Sequence, residues 1–357
     1  MKDKPQVFFA RFEPSATLPQ SLAALERLLD ASRVLDCAQP QDQAVIKLHF
    51  GEVGNTGFVK PAYLRVISKA LEGRQAKPFL CDTNTLYHGQ RTNSRDHLAL
   101  AREHGFTPAE AGAEVVIPDD TQPQNVAAVP VNGRFIDTAK VAKVFLDADA
   151  FVGVAHFKGH IMTGFGGALK NVGMGCAARE GKLAQHSDVS PFVGKACDGC
   201  GQCAEACAVH AISLVAGRSR IDPALCAGCA GCLAACPKGA IQVSWESGGD
   251  SIQERMVEYA HAVLGAKKGK TAFFNFCIKI TAECDCIAKD DPCLVPDLGV
   301  LACADPVALD QACLDLVLRA AGRDVFKDAH PKRDGLKQLR RAEELGLGTR
   351  DYRLVEV

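Results

Sequence analysis

Eight of the 17 cysteines fall in one short stretch and are written as one pattern twice. The first copy is Cys197-x2-Cys200-x2-Cys203-x3-Cys207. The second is Cys226-x2-Cys229-x2-Cys232-x3-Cys236, followed by Pro237. The start, Met1-Lys2-Asp3-Lys4-Pro5, lacks the apolar stretch and small-residue cleavage site of a secretory signal, and no apolar run is long enough to cross a bilayer. The chain is therefore expected in the cytoplasm. Thiols stay reduced there, so cysteines at this density point to metal or redox chemistry, and the odd total fits poorly with a fully paired disulfide framework.

Zinc knuckles are the alternative to iron–sulfur ligation, but zinc sites use two Cys pairs separated by a longer loop, not three cysteines in seven residues. The doubled spacing resembles that of bacterial two-cluster ferredoxins. Three thiolates on one tight loop reach three corners of a cubane, and a remote fourth closes it. In those ferredoxins the fourth cysteine serves the other cluster. The resemblance thus implies one [4Fe–4S] cluster on Cys197, Cys200, Cys203 and Cys236, and a second on Cys226, Cys229, Cys232 and Cys207. Gly199, Gly201, Gly228 and Gly231 would let the backbone pass close to the inorganic sulfides. Ala208 stands where the first repeat usually has Pro, which removes a rigid exit but no ligand. Each motif runs into a short strand, at Ala211-Ile212-Ser213-Leu214 and Ala240-Ile241-Gln242-Val243. The expected module is 192–246, inserted into a body formed by 1–191 and 247–357.

That body reads as α/β. Strands are expected over 44–50, 77–82, 114–117, 150–155 and 271–276, and helices over 61–73, 96–105, 138–147, 252–264 and 306–321. The alternation predicts one or two mostly parallel sheets with flanking helices. Polar clusters follow three strands: His49-Phe50-Gly51-Glu52, Asp82-Thr83-Asn84-Thr85 and His156-Phe157-Lys158-Gly159-His160. Ligand sites in parallel sheets lie beyond the carboxyl ends of strands, so these loops, with His49 and Asp82, are expected to share a pocket.

The stretches His49–Thr56, Asp82–Leu86, His156–Cys176, Cys284-Asp285-Cys286 and Asp305–Asp310 together resemble the family called domain of unknown function 362, in its ferredoxin-containing form. The resemblance runs from about 44 to 320 and carries no settled reaction. A shorter stretch is similar to lactate racemases, in which a Gly-Gly loop precedes a Lys that carries a nickel-pincer nucleotide. Here Lys170 follows Gly166-Gly167, with His160 ten residues before it and His186 sixteen after. The likeness implies a lactate-racemase-like body. It would place Lys170 against a nucleotide-like cofactor, His160 as an acid/base, and His186 as a base or metal ligand. Independently, Gly164, Gly166 and Gly167 allow a tight turn whose N–H groups can cup an anion, with Lys170 adding charge. The alternative is a structural glycine turn with Lys170 in solvent.

Cys284 and Cys286 would share a face if they lay on a strand, and with Cys277 and Cys293 nearby they offer a further metal site or a third cluster. Buried free thiols are the alternative there, and the preferred reading for Cys303 and Cys313. Lys and Arg total 41 against 42 Asp and Glu, which gives no basic footprint for nucleic acid; no membrane association is expected either. Three functions fit. One is a redox enzyme in which the module feeds electrons to the pocket and a small-molecule substrate. Another is an electron carrier whose body docks a redox partner protein. The third is a racemase-like enzyme with structural clusters.

Overall fold

The computed structural model describes residues 4–13, 15–186, 190–245 and 251–357. Eight strands form the central sheet: β1 (Gln6–Arg11), β2 (Gln43–Lys47), β3 (Lys77–Cys81), β4 (Glu114–Val116), β5 (Ala150–His156), β6 (Thr271–Cys277), β7 (Gly299–Cys303) and β8 (Arg353–Glu356). Their order is β8-β1-β7-β6-β5-β2-β3-β4. β7 runs antiparallel to both neighbours, and every other pair is parallel. The expected mostly parallel α/β architecture is therefore present, as a single sheet.

Consecutive residues of the inner strands go to opposite faces. Val45, Phe151, Phe273 and Leu301 enter one apolar core. Their neighbours Ile46, Val152, Phe274 and Val300 enter the other. The period of two explains why these strands read as continuous apolar runs: both faces are covered. Helices α1 (Leu18–Ser32), α2 (Pro61–Glu72) and α3 (Ser94–Glu103) follow the first three strands. The other face carries α4 (Ala168–Gly173), α6 (Ile252–Leu264), α7 (Pro306–Ala321) and α8 (Leu336–Glu344), with α5 (Arg179–His186) leading toward the cysteine repeats.

One expected helix is wrong. Residues 138–147 form a strand, Thr138–Ala142, and only a short helix, Val144–Asp147. The strand pairs antiparallel with Val126–Pro130, and Ala139 and Val141 are buried from it. Pairing with the strand just upstream, as a hairpin, overrode a local pattern that also fits a helix.

The repeat region is built from short pieces. Phe192–Val193 pairs with Ile241–Gln242, and Ile212–Val215 with Arg218–Ile221. Helices Gln202–Glu205 and Gly231–Ala235 each include the third cysteine of a motif. The expected return to the body near Ser247 falls outside the described residues. Among the described residues, no helix is long and apolar enough to cross a membrane.

Candidate functional site

β5, β2 and β3 are adjacent, so the loops at their carboxyl ends converge. Lys47 ends β2 with its ammonium buried. It donates to the Leu48 carbonyl at 2.8 Å and to Asn171 Oδ1 at 2.9 Å, and pairs with Asp82 Oδ1 at 2.9 Å. Burial raises the Asp82 carboxyl, but the charges of Lys47, His49, His97 and Lys182 outweigh it and hold the group below the usual carboxylate range. Lys182, on α5, donates to Thr83 Oγ1 and the Asn84 carbonyl. Arg91 pairs with Glu52 at 3.0 Å and lies 2.9 Å from His49 Nε2, while Gly51 N–H donates to His49 Nδ1. Desolvation and the Arg91 charge push His49 well below its ordinary value.

His156 ends β5. Its Nδ1 meets Asp285 Oδ1 at 2.8 Å, and its Nε2 meets the Ile278 carbonyl at 2.7 Å. Lys158 pairs with Asp285 Oδ2 at 3.4 Å. Burial raises Asp285, but His156 and Lys158 bring it far below the usual carboxylate range. Asp285 is the centre of Cys284-Asp285-Cys286. That segment is a turn closed by Ile287 N–H to the Cys284 carbonyl at 3.1 Å, not the expected strand. The two sulfurs still meet, as a disulfide with Cα atoms 5.3 Å apart. A ring nitrogen of His160 and both sulfurs lie within 4.8 Å of one another.

Lys158–His160 and Gly164–Gly166 form a two-stranded hairpin. Lys170 is on α4. Burial and then the charge of Lys158 lower it to about 7. Among the described residues its ammonium has no hydrogen-bond or carboxylate partner, unlike Lys47, Lys158 and Lys182. Burial, then the charge of Lys170, also depresses His160 and His186, His186 to about 3. The charge of Lys170 thus reaches both His160 and His186. Among the described residues, the buried Nδ1 atom of His186 has no partner.

The glycine turn does not offer its helix N-terminus to a ligand. The N–H groups of Ala168 and Leu169 already donate to Asp310 at 2.7 and 3.0 Å. A methyl on Gly167 would lie 2.2 Å from Asp310 Oδ1. Gly167 is thus required by the close approach of this buried carboxylate, and anion attraction falls to side chains. Gly164 and Gly166 are hairpin residues. Two open surface clefts, one lined by Gln43, Asn125 and Lys143 and the other by Gln6, Ser32 and Asp305, share no residue with this cluster.

Sequence reasoning missed Lys47, Arg91, Arg179 and Lys182, all buried here. One signal was available: Lys47 interrupts the apolar run Val45-Ile46-Lys47-Leu48, and buried lysines are rare unless paired. Of the later cysteines, Cys277, Cys303 and Cys313 lie in the apolar core, and Cys293 is exposed. Cys277 and Cys293 thus do not join Cys284 and Cys286.

The repeats are alike in detail. Ala211 N–H donates to Cys207 Sγ at 3.2 Å, and Ala240 N–H to Cys236 Sγ at 3.2 Å. Gly199 and Gly228 both have positive φ, 73° and 69°. Gly201 has φ 84°, but its counterpart is Ala230 at φ 56°, so Gly231 is not the equivalent turn residue. Ser219 N–H donates to Cys197 Sγ at 3.4 Å, and the Ser219 hydroxyl lies 3.1 Å from Cys203 Sγ. Cys203, Cys207, Cys232 and Cys236 share an apolar cluster with Leu86 and Leu183 of the body. Trp245 packs edge-on against His186, with ring centroids 5.0 Å apart.

The model of the family "Domain of unknown function (DUF362)" matches residues 44–315. The chain belongs to this family. Its structure is similar to that of the lactate racemase apoprotein from Thermoanaerobacterium thermosaccharolyticum, at 13% identity and a TM-score of 0.40, over 78% of this chain and 51% of that one. A Thermotoga maritima protein is similar at 14% identity and a TM-score of 0.43, over 93% and 60%. The chain thus spans between half and two thirds of the length of each. No curated protein matches.

Proposed function

We propose that this DUF362 protein is an iron–sulfur redox enzyme whose repeat module, 192–246, passes electrons to an anionic small molecule held beside Lys170. The observation that carries the reading is the position of α5: it presents His186 to the cationic cluster and Leu183 to the core that encloses four of the repeat cysteines. The donor set fits two [4Fe–4S] clusters. Eight thiols stand in two equivalent arrangements, and backbone N–H groups aim at Sγ atoms, as at iron–sulfur sites whose potentials are set by such bonds. When bound, the clusters supply single electrons.

The remaining chemistry belongs to the chain's own side chains. Lys170, unpartnered among the described residues and acted on by the charges of Lys158, Asp285, Lys47 and Arg91, attracts a negative group. A neutral His186 with a free buried Nδ1 takes or gives a proton there, and His160 is a second proton carrier. Lys170 also fits the role of carrying a nucleotide-like cofactor, since its nitrogen is uncommitted.

The test has two arms. Anaerobically reconstituted protein should hold about eight iron and eight sulfide, the content of two such clusters; about two iron, or zinc in their place, would overturn the cluster assignment. Lys170→Ala should abolish anion binding and turnover while leaving cluster spectra intact. Persistence of both would place the pocket elsewhere. An electron carrier without a reaction of its own would instead exchange electrons normally in that variant and bind no small molecule.

A further inference from the structure

We infer that His160, Cys284 and Cys286 form a binding site for one thiophilic divalent cation, open only when the Cys284–Cys286 disulfide is reduced. The assignment does not depend on the clusters or on Lys170.

Three donors converge here from two separate segments, within 4.8 Å of one another. Each segment is fixed by buried polar contacts. The turn bearing both sulfurs is anchored through Asp285, whose carboxylate receives His156 and Lys158. A methyl at Gly57 would fall 2.7 Å from Asp285 Oδ1, so the chain opposite is closely fitted to it. The hairpin bearing His160 is tied to the residues leading into the turn. Gly159 N–H donates to the Thr281 carbonyl at 2.8 Å, and His330 Nε2 meets the Ala282 carbonyl at 2.9 Å. His160 Nδ1 receives N–H groups from Met162 and Thr163, both at 3.2 Å. These two N–H groups hold the imidazole in a fixed orientation beside the sulfurs.

The donor chemistry selects the ligand. Two thiolates and one imidazole suit zinc and similar borderline cations, and poorly suit magnesium or calcium. Two thiolates also neutralise a divalent charge, which matters beside Lys158 and Lys170. Three protein ligands leave a fourth position for water or substrate, the arrangement of catalytic rather than structural zinc sites. In the disulfide neither sulfur is a thiolate, so the site is closed. Opening consumes two electrons and two protons and yields two thiols. Metal binding then releases two protons. In the reading above each cluster would supply one electron; in a test tube a phosphine supplies the pair and becomes its oxide.

The full chain with its clusters loaded is treated anaerobically with a phosphine or with diamide, given Zn2+, and desalted. The reduced protein should retain one more zinc than the oxidised protein. Its zinc-edge absorption fine structure should show two sulfur ligands and at least one nitrogen. Cys284→Ser with Cys286→Ser should lose that zinc, and His160→Ala should bind it at least about tenfold more weakly. Cys293→Ser, at an exposed cysteine of the same region, should change nothing. Equal zinc in reduced and oxidised parent, or zinc retained by the double variant, overturns the assignment. Should the double variant fail to fold, the comparison of the two redox forms of the parent decides alone. Lys170→Ala should leave the zinc count unchanged, so this site and the anion pocket fail separately.

Discussion

Lys182 is buried and Lys170 half-buried, and the two answer to different neighbours. Lys182 spends its ammonium on Thr83 and Asn84. Lys170 has Lys158 beside it and no acceptor among the described residues. Burial and that like charge lower it to about 7 from 10.5. Between those two values the unfolded chain binds a proton that the folded chain does not, so folding stability rises with pH across this window. Below about 7 the penalty for charging the buried amine is fully present. Lys170→Met should remove this slope, on the order of a few kcal/mol between pH 7 and pH 10, and should stabilise the ligand-free protein at neutral pH. Denaturant unfolding of both proteins at several pH values checks this. An unchanged slope would mean that Lys170 is solvated or paired. The contrast also bears on function: a lysine whose burial destabilises the empty protein is one that a ligand can repay.

The sulfur contacts of the repeats belong to the scale of the element. The strand Arg218–Ile221 brings Ser219 against Cys197 and Cys203 together, the first and third cysteines of one motif. If the repeats hold the clusters proposed above, a hydrogen bond to a ligand sulfur strengthens as its cluster gains an electron. Ser219→Ala should therefore shift one cluster, and not the other, to a more negative potential. About 1 kcal/mol of lost bonding corresponds to on the order of 40 mV for a one-electron couple. Redox titration of the parent and the variant would reveal the shift; equal movement of both clusters would contradict the ligand sets given above. Elements differ in how far the sequence disclosed them. α6 and α7 were bounded to the residue, because an apolar stripe and a Pro306 start are local signals. β1, β7 and β8 went unnoticed: they lie at one end of the sheet, where long-range pairing and not local pattern decides. Thr138–Ala142 failed for a different reason: it pairs with the strand just upstream, and its pattern also fits a helix. In the site, His49, Asp82, His160, Lys170 and His186 were legible from motif and strand-end position. Asp310 was legible as a motif residue, but its contact with the N-terminus of α4 joins segments more than a hundred residues apart. Nothing in the spacing of the glycines could show that a carboxylate already fills that place.

At the scale of the whole molecule, the proposed division into body and repeat module sets two units of unequal self-sufficiency on one chain. The body buries apolar side chains on both faces of an eight-stranded sheet, Phe151, Phe273 and Phe274 among them. A fully buried side chain of this size is worth about 1.5–3 kcal/mol, so the body has ample means to fold without metal. Among its described residues, the repeat module buries only three alanines, four larger aliphatic residues and four of its own cysteines in its apolar cluster, and borrows Leu86 and Leu183. Leu214, Val215 and Leu225 are left exposed. A unit this small and this poor in apolar burial ordinarily needs metal to hold it together. Removal of iron by an anaerobic chelator should therefore raise amide exchange throughout 192–243 while β5 and β6 keep their protection. The loosening should extend to α5, because Leu183 loses its partners and Trp245 no longer holds His186. The anion site is then expected to weaken even though Lys170 sits on α4, outside the module. Hydrogen exchange read by mass spectrometry, with and without iron, distinguishes this from two independent units. If 192–243 stays protected after iron loss, the clusters are not its structural core; if α5 stays protected while the module opens, the proposed link between clusters and pocket is not carried by that helix.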